Sequence, residues 1–315
     1  MDVVALGELL IDFTCKTTDA DGYPTMEAHP GGAPANFLAA LTKFGAKTAL
    51  LGTVGNDAFG KLLVGTLENA GISTDGIIVS DDVFTTMAFV TLDDSGDREF
   101  SFARKPGADT CISYEELNLS LVDEAKVFHF GTLSLTDEPA RSATYKVVEY
   151  AKKAGKLITY DPNLRKPLWK DLEEAKRQMI WGLKYADVVK ISDEEVEFLF
   201  GLGVKEGAEY ILNTFGTKLV FVTCGADGCY FKNKVACGKL PSLSGIQVVD
   251  TTGAGDIFGG SAVWKLLQLD QAPETLNQEQ LADVVTFACT SAGLSTTKPG
   301  GISSVPEYET VLSRM

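Results

Sequence analysis

The chain has 315 residues, 45% of them hydrophobic, and its 43 acidic and 28 basic residues give a formal charge of -15. That charge would be repelled by nucleic-acid phosphates, no run of about 18 apolar residues offers a membrane span, and six cysteines with no C-x-x-C pair make a poor zinc site. The expectation is one globular unit, residues 1–315, with no signal peptide at Met1-Asp2-Val3-Val4 and with reduced cysteines in the cytoplasm.

In chain order, Val3 to Leu6 predicts a short buried strand. Asp12 follows it, where a strand end meets the ligand crevice of an open α/β sheet. Pro34 to Phe44 predicts a helix, with proline near its start and Gly45 at its end, and Thr48 to Thr53 returns to strand. Asp57 is expected to cap a helix ending near Gly71. Thr85 to Leu92 and Arg98 to Arg104, joined by Asp93-Asp94-Ser95-Gly96-Asp97, read as a hairpin. With the stretch between Phe13 and Pro30 it would form a small β element over one edge of the main sheet, either a plain edge extension or a lid (about 13–30 and 84–104). Further on come strand Val127 to Phe130, a helix at 137–154, strand Leu157 to Tyr160, strand Val188 to Ile191, helix Asp193 to Phe200 and strand Leu219 to Thr223. Strands alternating with helices imply an α/β fold, doubly wound, with a mostly parallel sheet covered on both faces.

The most informative motif is Asp250-Thr251-Thr252-Gly253-Ala254-Gly255-Asp256, which opens into an apolar helix. Gly253, Ala254 and Gly255 leave backbone N–H groups uncovered, as an anion hole for a phosphoryl group requires, and Asp256 in the first turn could take a proton from an attacking hydroxyl. An aspartate at a helix start can equally be a plain cap. Pro30-Gly31-Gly32-Ala33-Pro34-Ala35-Asn36 is a second loop that turns into a helix: the glycines admit a ligand to the backbone, and Asn36 offers a donor and an acceptor to hydroxyl groups. Gly55 to Lys61 resembles a P-loop, but Leu62 stands where the magnesium-binding Ser or Thr belongs. Gly201-Leu202-Gly203 lies outside the first βαβ unit, where a dinucleotide fingerprint would be expected.

With these two signatures in order, 30–60 and 250–256, the chain resembles the PfkB (ribokinase-like) carbohydrate kinases from end to end. It is most similar to their fructokinase branch at Gly7 to Phe13, Gly31 to Asn36, Asp161-Pro162-Asn163-Leu164-Arg165 and Lys190 to Glu195. The resemblance implies transfer of phosphate from ATP to a sugar hydroxyl, D-fructose first. Asp256 would be the base, Gly253 to Gly255 the anion hole, and Asp12, Gly31, Gly32, Asn36, Arg104 and Arg165 the substrate contacts. It places Lys190, Thr223, Gly225 and Gly228 around the nucleotide's phosphates and ribose, Cys289 near the base, and Glu195 on magnesium through water. Asp250, Thr252, Gly300 and Ser304 match a monovalent-cation region that would take K+. Ala103 and Lys105 replace the aromatic residue and asparagine usual beside Arg104.

The same machinery serves kinases of 2-keto-3-deoxygluconate, ribose and nucleosides, and a silent sugar-sensing protein would keep the pocket without transfer. Phe84, Met87, Phe89, Phe100 and Phe102 suggest an apolar face on the hairpin, hence a homodimer through the lid.

Overall fold

The computed structural model describes residues 1–92 and 98–315. The strands are β1 Val3–Leu6, β2 Leu10–Thr18, β3 Pro24–Gly31, β4 Thr48–Gly55, β5 Ile77–Ser80, β6 Met87–Leu92, β7 Arg98–Ala103, β8 Val127–Gly131, β9 Leu157–Asp161, β10 Val188–Ser192, β11 Leu219–Thr223, β12 Cys229–Asn233 and β13 Cys237–Leu240. The α-helices are α1 Ala33–Lys43, α2 Ala58–Asn69, α3 Leu119–Glu124, α4 Ala140–Lys153, α5 Leu172–Leu183, α6 Asp193–Phe200, α7 Val204–Phe215, α8 Ala254–Leu269, α9 Gln278–Ser295 and α10 Tyr308–Leu312.

A nine-stranded sheet runs in the order β13-β12-β11-β10-β9-β8-β1-β4-β5. From β11 to β5 every neighbouring pair is parallel, and β12 and β13 add an antiparallel edge. β1 shows why the fold is layered: Val4 and Leu6 enter a core shared with α3, α4 and α7, whereas Val3 and Ala5 enter one shared with α1 and α8. Strands buried on both faces are continuous apolar runs, which is how they read in the sequence. Starting from β1 the chain builds one side of the sheet through β4 and β5 and the other through β8 to β11. The order reverses between β1 and β8, the place where open α/β sheets form their crevice.

Most expected elements are present, and helix α6 and strand β11 have the predicted limits. The helix expected at 137–154 begins at Ala140, and the hairpin's first strand begins at Met87 rather than Thr85. Thr85 is held elsewhere: Asp57 caps α2 by accepting from the amides of Phe59 (2.9 Å) and Gly60 (2.8 Å), and it also accepts from the Thr85 amide at 2.8 Å. That carboxylate occupies the helix start a P-loop would have left to phosphate. Gly201 is the left-handed C-cap of α6 and Gly203 the N-cap of α7, so this pair also has a local role.

The second sheet has four strands in the order β3-β2-β6-β7. The expected turn, Asp93 to Asp97, lies outside the described residues. A single apolar face does not form, because register separates the phenylalanines. Ala88 pairs with Phe102, and Asp12 with Ala88, so these share one face, while Met87 and Phe89 lie on the other. On that second face Phe89 stacks on Phe13 at 5.2 Å, and Phe13 meets Phe59 of α2 edge-on at 5.4 Å. Phe84 precedes the strand and is 75% exposed, and the Phe100 side chain lies outside the described residues.

Candidate active site

The first face of the small sheet roofs a cavity of about 640 Å3 over the carboxyl ends of the parallel strands. Asp12, Gly32, Asn36, Arg165, Lys190 and Asp256, which come from five separate stretches of sequence, line it together. A tight helix crossing makes this convergence possible. A Cβ on Gly260 of α8 would stand 2.2 Å from the Phe37 carbonyl oxygen of α1, so only glycine lets the two helices meet. Their contact brings Asn36 and Asp256 together across 220 positions, with Asn36 Nδ2 donating to Asp256 Oδ2 at 2.9 Å.

Helix α8 starts at Gly253, whose φ of 74° suits glycine, and no side chain caps it. The Ala254 amide donates to the Thr251 carbonyl at 3.3 Å, which narrows the expected three-amide hole. The amides of Gly255 and Asp256 have no carbonyl one turn earlier to reach and are left to a ligand. Beside them lies a cation: a Cβ on Gly255 would be 3.0 Å from Lys190 Nζ. Burial pushes the Asp256 carboxyl above its ordinary range, against the Asn36 hydrogen bond and the charges of Lys190 and Arg165. A buried carboxylate with raised proton affinity is suited to accept a proton near neutral pH.

Lys190 Nζ pairs with Asp161 Oδ2 at 2.9 Å. Burial works against its charge, but the carboxylates of Asp161, Glu195 and Asp256 outweigh that and raise its pKa. Ser192 and Glu195 form a reciprocal capping box at the start of α6. The Glu195 carboxylate accepts from the amides of Ser192 (2.9 Å) and Leu164 (2.7 Å), one on each oxygen. Each carboxylate oxygen has a second lone pair, so Glu195 can still face a hydrated cation. Among the described residues no group of three or more His, Cys, Asp or Glu could hold a metal ion.

Asp12 is buried enough to push its carboxyl up to about 6, while the charge of Arg165 pulls the other way. A Cβ on Gly31 would stand 2.4 Å from Asp12 Oδ2, and one on Gly32 would stand 2.3 Å from the Glu8 carbonyl oxygen. Glycine is therefore required at 32, where the close atom is backbone and φ is 121°, while a side chain at 31 would displace the Asp12 carboxylate. Glu8, for which the sequence suggested no role, holds the start of α1 by accepting from the Ala33 amide at 2.8 Å, and burial pushes its carboxyl up to about 7. Asn163 also escaped assignment, although its segment was marked. Its Nδ2 donates to Asp256 Oδ1 at 3.3 Å.

Asp250 and Gly300 also reach the cavity. Asp250 accepts from the Thr252 amide (2.9 Å), the Thr252 hydroxyl (2.7 Å) and the Gly300 amide (3.0 Å). Ser304 is buried and donates to the Gly301 carbonyl. Thr223, Gly225, Gly228 and Cys289 do not line this cavity. The first three lie at and after the end of β11, which is paired with β10, and Cys289 is buried in α9. Arg104 is placed elsewhere than expected. Its guanidinium is enclosed, with Nε donating to Asp109 Oδ2 (2.8 Å), Nη1 to Thr136 Oγ1 (2.7 Å) and Nη2 to the Leu133 carbonyl (2.9 Å). It braces the root of β7 and does not reach into the cavity.

A buried carboxylate at an uncapped helix start, with a lysine beside it and a cavity over the sheet's switch point, could deprotonate a hydroxyl next to a bound anion, as a kinase of small hydroxyl compounds must. Residues 1–308 match the model of the pfkB family carbohydrate kinases. The chain is 42% identical to fructokinase-2 of Solanum habrochaites, covering 99% of this chain and 95% of that one. Among solved structures, a fructokinase from Xylella fastidiosa with bound ATP is 30% identical with a TM-score of 0.90, over 99% of this chain and 97% of the other. A fructokinase from Vibrio cholerae bound to fructose, ADP and a calcium ion is 29% identical with a TM-score of 0.87, over 100% and 99%. The chain belongs to the pfkB family of carbohydrate kinases. No helix among the described residues is long and apolar enough to cross a membrane.

Proposed function

We propose that the chain is a cytoplasmic ATP-dependent fructokinase that phosphorylates D-fructose to fructose 6-phosphate. The observation that carries this reading is the Asp256 carboxylate, buried at the open start of α8 in the same cavity as Asp12, Asn36 and Lys190. The fructokinases similar to it over nearly their whole length, one of them solved with fructose and ADP, support the acceptor. Six free cysteines fit a reducing compartment.

In this mechanism Asp12, Asn36, Arg165 and the backbone at Gly31 and Gly32 orient the sugar by its hydroxyl groups. Asp256 accepts the proton of the attacking hydroxyl, and the amides of Gly255 and Asp256, with Gly253 and Ala254 shaping the turn, face the transferred phosphoryl group. Lys190, Thr223, Gly225, Gly228 and Cys289 hold the nucleotide, and Glu195 would hold the hydrated magnesium. When bound, magnesium neutralises charge between the nucleotide's terminal phosphates. Asp250, Thr252, Gly300 and Ser304 shape the monovalent-cation site. The four-stranded sheet acts as a lid that keeps out water, which Asp256 would otherwise activate. Residues 1–315 form one such kinase domain.

ADP release with Mg-ATP is expected to be highest on fructose in a panel with ribose, 2-keto-3-deoxygluconate, tagatose and adenosine. Faster turnover of another acceptor would replace the substrate, and silence on all of them would favour a sugar sensor.

A homodimer through the lid belongs to the same proposal. Because Phe89 and Phe13 are used within the chain, what supports pairing is the place of β3 and β7 at the two ends of the small sheet, together with exposed Phe84. Light scattering at micromolar concentration should give twice the 33.7 kDa of one chain, and a value matching one chain would rule the dimer out.

A further inference from the structure

The carboxylate of Asp256 is held at both oxygens. Asn36 of α1 donates to Oδ2 at 2.9 Å, and Asn163, in the loop after β9, donates to Oδ1 at 3.3 Å. We propose that Asn163 is a positioning residue, which fixes the plane of the Asp256 carboxylate so that one lone pair faces the acceptor hydroxyl, and that Arg165 sets the direction of its side-chain amide. The inference rests on reading Asp256 as the base.

Three observations carry it. An asparagine amide can face either way, but Arg165 Nη1 stands 2.7 Å from Asn163 Oδ1. A guanidinium has only donors, so the amide oxygen must face Arg165, which leaves the NH2 group to Asp256. Secondly, Asn163 has φ 46°, in the left-handed region where asparagine is among the few tolerated side chains. Thirdly, the backbone on either side is pinned. The Asn163 amide donates to Asp161 Oδ1 at 3.2 Å, the Leu164 amide to Glu195 Oε1 at 2.7 Å, and the Pro162 carbonyl accepts from the Thr132 amide at 3.3 Å. The loop can therefore hold a carboxylate still. Arg165 itself is exposed and lines the cavity.

A donor on Oδ1 also favours the ionised carboxylate. Lys190 from β10 and Arg165 do the same, burial opposes them, and the nearby carboxyls of Glu8, Asp12 and Asp161 feel the charge of Asp256 in turn. Removing the Asn163 donor alone leaves those groups in place and raises the proton affinity of Asp256.

The variants that test this are Asn163→Asp and Asn163→Gly, which both tolerate the left-handed backbone and both lose the donor. Each should fold, keep KM for fructose and ATP within about threefold, and lose about tenfold to a hundredfold in kcat. The acidic limb of the kcat–pH profile should move upward in both, further in Asn163→Asp, where a second carboxylate faces the first. Direct 13Cγ NMR titration of Asp256, assigned by difference against Asp256→Asn, should move in the same direction. An unmoved limb and an unmoved titration in the folded variants overturn the proposal. If the wild-type chain releases no ADP on any sugar, the kinase reading fails, and the carboxyl titration still decides whether Asn163 positions Asp256.

Discussion

Asp256→Asn should leave a folded protein that binds fructose and ATP and turns over about 10^3-fold more slowly, within the range that general-base catalysis contributes. The substitution is nearly isosteric. The new side-chain amide keeps one oxygen, which can accept from Asn36, while its NH2 group faces the Asn163 donor; the α1–α8 contact made by Gly260 and Phe37 should survive. What disappears is the proton acceptor. Steady-state kinetics with calorimetric binding of each substrate checks this, and a variant keeping most of its kcat would remove Asp256 from the chemistry.

The second large effect is expected for Lys190→Met. It removes the cation beside Gly255 from the place where the phosphoryl group would lie, and kcat/KM for ATP should fall about 10^2- to 10^3-fold while fructose affinity changes little. It also strands Asp161, whose carboxyl burial already pushes up to about 7 with Lys190 pulling it down. An acid with a folded-state pKa above its unfolded value of about 3.9 is stable as the neutral form, and that stability is lost as pH climbs from the unfolded to the folded pKa. Wild type already loses that stability up to about 7, so the variant, whose Asp161 pKa lies higher still, should fall further below wild type only as pH climbs past about 7. Thermal melts at pH 5 and pH 8 check the sign, and an equal deficit at both would show that the pair carries no pH-linked stability.

Much of the architecture was legible because local chemistry and tertiary structure agree. Helix α6 has the expected limits because Ser192 and Glu195 cap its start and Gly201 its end. Asp12, Asn36 and Asp256, which share the cavity, stood out in the sequence because each lies beside a glycine-rich loop or strand end. The hairpin was legible as a hairpin but not in its facing. Alternation assigns Met87 with Phe89, yet only the pairing of Ala88 with Phe102 shows that Phe102 turns towards the cavity. The short edge strands β12 and β13 carry no strong periodic signal, and they form because β11 gives them a ladder. The resemblance gave Arg104 a substrate contact, whereas in the fold it is enclosed with Asp109. Asn163 and Glu8 act through groups from distant elements, and a single sequence does not write down such pairings. The D-P-N-L-R segment was the available signal.

One carboxylate ties two parts of the molecule to a common fate. Asp57 caps α2 and grips Thr85, the residue from which the hairpin departs, and on the sheet's outer side Phe13 leans on Phe59 of the same helix. The roof over the cavity thus has a buttress whose footing is a helix cap. Fraying of the first turn of α2 would loosen the roof as well, so damage at a surface position far from Asp256 would be felt as weaker sugar retention and as lower thermal stability at once.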